Sequence, residues 1–135
     1  MINNLILVGR LTEDPKMRTI SENVKVCTIN LAVTRPFKDM TTGEYGVDFI
    51  PVTLWNGISK IATDYCTKGD IIGIKGRIAH KFKEENGVNK HYIEVIGERI
   101  TLIQLHKSKD GLKIIDDVDE FDEIPIVEKE DSWIY

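Results

Sequence analysis

Between residues 2 and 103 the chain is a series of short apolar runs rich in β-branched residues. Gly, Pro, Asn and Asp separate them, and only one stretch keeps a helical period. A sequence built this way must bury itself mainly by pairing strands. Residues 2–11 (INNLILVGRL) read as a buried strand in which Gly9 marks a bulge or a sharp bend. Residues 24–35 (VKVCTINLAVTR) read as a second strand, and residues 36–46, with Pro36, Asp39, Gly43 and Gly46, as a loop. Residues 47–55 (VDFIPVTLW) alternate. Asp48, Ile50, Val52 and Leu54 share one face, while Val47, Phe49, Pro51, Thr53 and Trp55 share the other. Pro51 has no N–H to give a ladder, so this strand is expected to be free on one side there. Residues 57–68 hold the single helical period, with Ile58, Ile61, Ala62 and Tyr65 on one face and Gly69 placed for a C-terminal cap. Residues 71–83 and 91–103 are strands on either side of Asn86-Gly87, a strong hairpin signal.

Five strands, with one helix between the third and the fourth, suit a small closed or partly closed barrel. The order of elements alone leaves a sandwich open. The expected fold is all-β: a five-stranded barrel over residues 1–107, followed by an acidic, mostly disordered segment over residues 108–135.

The charge balance supports that division. The chain carries 18 Lys and Arg against 22 Asp and Glu, a net charge of −4. Residues 110–135 hold ten of the acidic residues and only Lys113 and Lys129, a net −8, which leaves +4 on the first 109. A mildly basic body is joined to a strongly acidic end. The longest apolar runs are far too short to span a bilayer, and without a charged n-region and apolar h-region at the start secretion is not expected. Cys27 and Cys66, without a CxxC pattern, fit a reducing cytoplasm as small apolar packers.

No catalytic constellation emerges. His80, His91 and His106 lack metal-ligand spacing, and there is no GxSxG, no phosphate loop and no calcium loop. Neither an enzyme nor a cofactor nor a metal is expected. What does recur is an aromatic residue among basic ones. Phe37 lies in Arg35-Pro36-Phe37-Lys38, and Phe82 lies between Lys81 and Lys83. Phe49 and Trp55 share a strand face six residues apart, which at about 3.3 Å per residue spans several stacked nucleotides. Aromatic faces stack on bases whatever the sequence, and lysines attract phosphate. Alternation groups Phe82 with Ile74 and Ile78, and places Arg77, Lys81 and Lys83 on the opposite face. Phe82 therefore either packs or stacks, according to whether a bulge intervenes.

These residues lie in segments that resemble the bacterial single-stranded DNA-binding proteins. The matching stretches are NNLILVGRLTEDPKMR (3–18), INLAVTRPFKD with TTGE (29–44), DFIPVTLW (48–55), YCTKGD (65–70) and IKGRI (74–78), and the match runs to about Leu105. The resemblance implies an oligonucleotide-binding barrel, usually a homotetramer, that coats single-stranded DNA in replication, recombination and repair. It places stacking aromatics at Phe37, Phe49 and Trp55, and at Phe82 across a stretch one residue shorter than usual. It places basic contacts at Arg18, Lys38 and Lys68. Arg35, Arg77, Lys81 and Lys83 complete the expected DNA-binding set. The family commonly ends in an acidic run and a short Ile-Pro-Phe-like tip that docks partner proteins. Here Asp122-Glu123-Ile124-Pro125-Ile126 resembles that tip but is internal, while the chain ends in Trp133-Ile134-Tyr135 after Glu130-Asp131-Ser132. Both are candidate partner-binding segments. The alternative to a DNA coat is an accessory barrel of the same fold that acts mainly by recruiting proteins.

Overall fold

The computed structural model describes residues 1–105. Six strands and one helix follow in order: β1 (Leu5–Leu11), β2 (Met17–Ser21), β3 (Val24–Lys38), β4 (Tyr45–Trp55), α1 (Asn56–Tyr65), β5 (Ile71–Glu85) and β6 (Val88–Gln104). Within the sheet β1 pairs with β5, β5 with β6, β6 with β4 and β4 with β3. A short β1–β3 pairing, Arg10 opposite Ala32 and Leu11 opposite Leu31, closes the ring. Five strands thus form the expected barrel, with no free edge around the circuit. The strand absent from the sequence reading is β2, an antiparallel partner added to β3 outside the ring. Its residues are almost all exposed, so it carries no apolar alternation to mark it.

The glycine in the first strand does not make a bulge. β1 pairs with β5 without a break from Leu5 to Arg10. A Cβ on Gly9 would lie 2.8 Å from the Ala32 carbonyl oxygen, so the missing side chain lets β3 approach and close the barrel. The bulges fall in β6 instead, one leaving Ile103 unopposed between Gln104 opposite Ile71 and Leu102 opposite Ile72, the other at the barrel's corner. Lys75 faces Arg99 and Gly76 faces Gly97, which leaves Glu98 unopposed and turns the strand across the barrel's corner. A side chain on Gly76 would run into the Ile96 carbonyl at that corner.

The barrel interior is filled by Leu11, Ile29, Leu31, Val52, Leu54, Ile72, Ile74 and Ile100, all at most 1% exposed. α1 plugs one end with Ile58, Ile61 and Ala62, and Tyr65 packs against the same cluster. The helix stops at Tyr65, three residues earlier than the periodicity implied. The Asp70 carboxylate takes the Thr67 N–H at 2.8 Å and holds 67–70 as a turn. Gly69 does adopt a positive φ of 93°, but it serves this turn rather than the helix end.

Two hairpins project beyond the barrel. Asn86 and Gly87, both at positive φ, form a two-residue turn between Glu85 and Val88. The β3–β4 connection is shorter than the 36–46 loop expected, because β3 continues through Pro36 to Lys38 and β4 begins at Tyr45. Its turn is held by Asp39, whose Oδ1 accepts the N–H of Thr41 at 2.7 Å and of Thr42 at 3.1 Å. Among the described residues no helix is long and apolar enough to cross a membrane.

Candidate nucleic-acid interface

Paired residues on neighbouring strands share a face, so the register maps the surface directly. Arg18 faces Val26, and Val26 faces Trp55. Thr53 faces Ile96, and Ile96 faces Arg77. Two residues along, Glu94 faces Ala79, then Tyr92 faces Lys81 and Lys90 faces Lys83. By alternation Phe49 and Pro51 join Thr53 and Trp55. The outer face of β2-β3-β4-β6-β5 therefore unites Arg18, Phe49, Trp55, Arg77, Lys81 and Lys83, six of the eleven residues expected at the interface. Tyr92 and Glu94 stand among them.

The aromatics on this face are available for stacking. Phe49 is 64% exposed and Tyr92 48% exposed. Trp55 is half-buried at the N-cap of α1, where β4 turns into the helix. Pro51 shapes the middle of the face. It pairs with Asn30 of β3, but the parallel ladder to β6 begins only at Val52 opposite Val95. Below that point β4 and β6 splay apart, as the missing donor at Pro51 led us to expect. A groove of about 420 Å³ opens between them, lined by Phe49, Ile50, Pro51 and Thr53 on one side and Tyr92, Ile93, Glu94 and Val95 on the other.

The remaining residues are distributed elsewhere. Phe82 is 65% exposed, so it is not packed, yet it lies on the opposite face of the hairpin, tilted 6.1 Å from His91. No bulge lies between it and Ile78, and alternation holds. It stays unpacked because the arm has already left the barrel. On the same side His80 Nε2 and His91 Nδ1 meet at 2.9 Å. The rings lie nearly parallel with centroids 4.9 Å apart, and one nitrogen donates while the other accepts. Among the described residues no three His, Cys, Asp or Glu side chains gather to hold a metal.

Phe37 is 61% exposed near the tip of the β3–β4 arm. Lys38 sits over the Tyr45 ring at 5.6 Å. Arg35 is bound to Asp48 through Nε at 3.0 Å and Nη2 at 2.7 Å. That bond holds the Asp48 carboxyl below its ordinary range and raises the guanidinium above its own. Lys68 lies in the turn after α1, its N–H bonded to Asp14 Oδ1 at 2.7 Å. The candidate partner-binding residues Asp122 to Ile126 and Trp133 to Tyr135 lie outside the described residues.

Tyr92 and Glu94 stand outside the eleven residues expected at the interface, although the sequence already sets Tyr92 across the hairpin near Lys90 and His91. Their position was nevertheless legible: counting outward from Asn86-Gly87 as a two-residue turn puts Tyr92 opposite Lys81.

Comparison with known proteins identifies the family. Residues 2–103 match the model of the single-strand binding protein family. The single-stranded DNA-binding protein B of Bacillus subtilis is 39% identical over 101 residues, 74% of this chain and 88% of that protein. The single-stranded DNA-binding protein of Streptococcus pneumoniae is 36% identical over 112 residues, 82% of this chain and 71% of its own length. The crystal structure of the single-stranded DNA-binding protein from Thermus aquaticus superposes with a TM-score of 0.66 at 26% identity, over 76% of this chain and half of that one. A barrel of this topology with aromatic and basic residues on one outer face, matched along nearly all its described length, belongs to the single-strand binding protein family.

Proposed function

We propose that the chain coats single-stranded DNA without regard to sequence along most of its length, as a binder rather than an enzyme, on the face that unites Phe49, Trp55 and Tyr92 with Arg18, Arg77, Lys81 and Lys83. The observation that carries this is the shared face itself. Residues up to about 75 positions apart in sequence converge on one side of a five-strand surface in a way that barrel packing does not demand. The rings stack on unpaired bases and the cations neutralise phosphates. Phe37 and Lys38 extend the surface onto the β3–β4 arm, while Phe82 stands on the other side of the β5–β6 hairpin. Titrating the intrinsic tryptophan fluorescence with poly-dT at two salt concentrations tests the reading, since Trp55 and Trp133 are the only tryptophans. Quenching that weakens as salt rises is expected. An emission that poly-dT leaves unchanged would refute it.

The working unit in this reading is a homo-oligomer, a tetramer by family likeness, acting in the cytoplasm. Ile6, Val8 and Ile103 support association. All three are exposed on the outer side of β1, β5 and β6, and Ile103 lies against Gly73, the β5 partner of Val8. A second copy would cover this apolar strip. Val8→Asp should then lower the mass seen in sedimentation. The acidic segment beyond residue 107 would recruit replication and repair proteins through Ile124-Pro125-Ile126 or Trp133-Ile134-Tyr135.

A further inference from the structure

The groove between β4 and β6 has a polar floor that stacking does not need. Thr53 is 8% exposed, and its hydroxyl donates to Glu94 Oε1 at 2.7 Å. The Glu94 side chain is 23% exposed, and its second oxygen stands 3.9 Å from Lys81 Nζ, an ion pair too long for a hydrogen bond. Thr53 thus fixes the carboxylate, and Oε2 keeps capacity to accept. The walls above it are Phe49, Pro51, Tyr92 and Ile93. The volume of about 420 Å³ falls within the range of small-ligand sites.

We infer that this groove takes one unstacked base of the bound strand and favours a base that presents an exocyclic amine over thymine, with Glu94 as the specificity-determining residue. This rests on the single-stranded DNA reading and deepens it. A carboxylate only accepts hydrogen bonds. Cytosine, adenine and guanine each offer an exocyclic NH₂ to such an acceptor, while thymine presents carbonyl oxygens in its place and one ring N–H between them. A half-buried carboxylate that a carbonyl covers loses its remaining water without a donor in return. The groove is continuous with the stacking face, since Phe49 and Tyr92 belong to both. Lys81 beside it supplies the cation for the adjoining phosphate. The floor therefore tunes a largely sequence-blind coat at one position.

The test compares oligo-dC and oligo-dT of equal length on the wild-type chain and on Glu94→Gln. Gln keeps the shape and still accepts from Thr53, but its amide also donates to carbonyls. The dC:dT affinity ratio is expected to fall about fivefold or more in the variant, in keeping with one good base contact. A ratio that stays constant while both affinities rise would mean that Glu94 acts only as a negative charge, and would overturn the proposal. A second arm leaves the protein untouched. Oligomers of N4,N4-dimethylcytosine, which lack the amine hydrogens, should bind the wild-type chain several-fold more weakly than oligo-dC, and equal binding would again overturn it. If the wild-type chain binds neither dC nor dT, the single-stranded DNA reading itself falls. If it binds both and neither comparison moves, only the base-selecting groove falls.

Discussion

At the scale of single residues, the roles on the outer face are set by alternation. Trp55 ends β4 on the same side as Phe49 and Thr53, and the register carries that side across to Tyr92. Trp55→Ala and Tyr92→Ala are each expected to weaken binding of oligo-dT by about 1–3 kcal/mol, the usual worth of one base stack. Phe82→Ala should change it much less, because Phe82 leans on His91 on the hairpin's other side. Fluorescence anisotropy on the three variants separates these outcomes, and an equal loss at Phe82 would place the path of the strand on both faces of the arm. Phe49 and Trp55 were legible because a single strand, read with period two, puts them together. Tyr92 was less so, since its place depends on a partner strand and on counting back through a turn. Glu94 was illegible as an interface residue. Nothing in its neighbourhood along the chain shows that Thr53, 41 residues away, will fix its carboxylate.

At the scale of elements, the two projecting hairpins depend on their turns, because beyond the barrel they bury little. Gly87 sits at φ 76° with open space around its α-carbon, so Gly87→Ala meets only the backbone cost of the left-handed region, about 1 kcal/mol. That cost should fray residues 80–93, seen as faster amide exchange there, while the thermal midpoint of the barrel barely moves. In the other arm Asp39 caps the turn and Asp48 clamps Arg35. Both carboxyls are held below their ordinary range, Asp39 first by the N–H groups of Thr42 and Thr41 and Asp48 by the Arg35 side chain. A depressed carboxyl contributes order that is complete above the ordinary carboxylate range and is lost as pH falls through the lowered value. Carboxyl NMR titration should therefore find both below 3.8, with the arm loosening only in stronger acid. Values at or above 3.8 would show that the turn and the clamp are not populated in solution. Elements with a buried stripe, such as β4 and α1, could be read along the chain. β2 could not, because an exposed edge strand has no stripe, and the helix end could not, because Asp70 decides it from outside the helix. The barrel's corner was legible as a need for glycine, but not as to which glycine. Gly9 admits β3, while the bulge itself falls opposite Gly76.

At the scale of the whole molecule, the net charge of −4 is the sum of two unlike parts. The first 109 residues carry +4, and the cations among them include Arg18, Arg77, Lys81 and Lys83 on the outer face that also holds Phe49, Trp55 and Tyr92. Residues 110–135 carry −8 on the same chain. An anionic segment on the chain that carries these cations would compete with phosphate for them, and salt would screen the competition. Truncation at Ser108 should therefore raise oligo-dT affinity at low salt and make little difference at high salt. The logarithm of the binding constant plotted against the logarithm of salt concentration should then be steeper for the truncated chain, because the competitor that salt also weakens has gone. Lys83→Ala in the truncated chain should reduce that slope by about 0.7, the value for one phosphate on a single strand. Parallel plots for the full and truncated chains would mean that the acidic segment never meets the groove, and that the opposite charges of the two parts are independent.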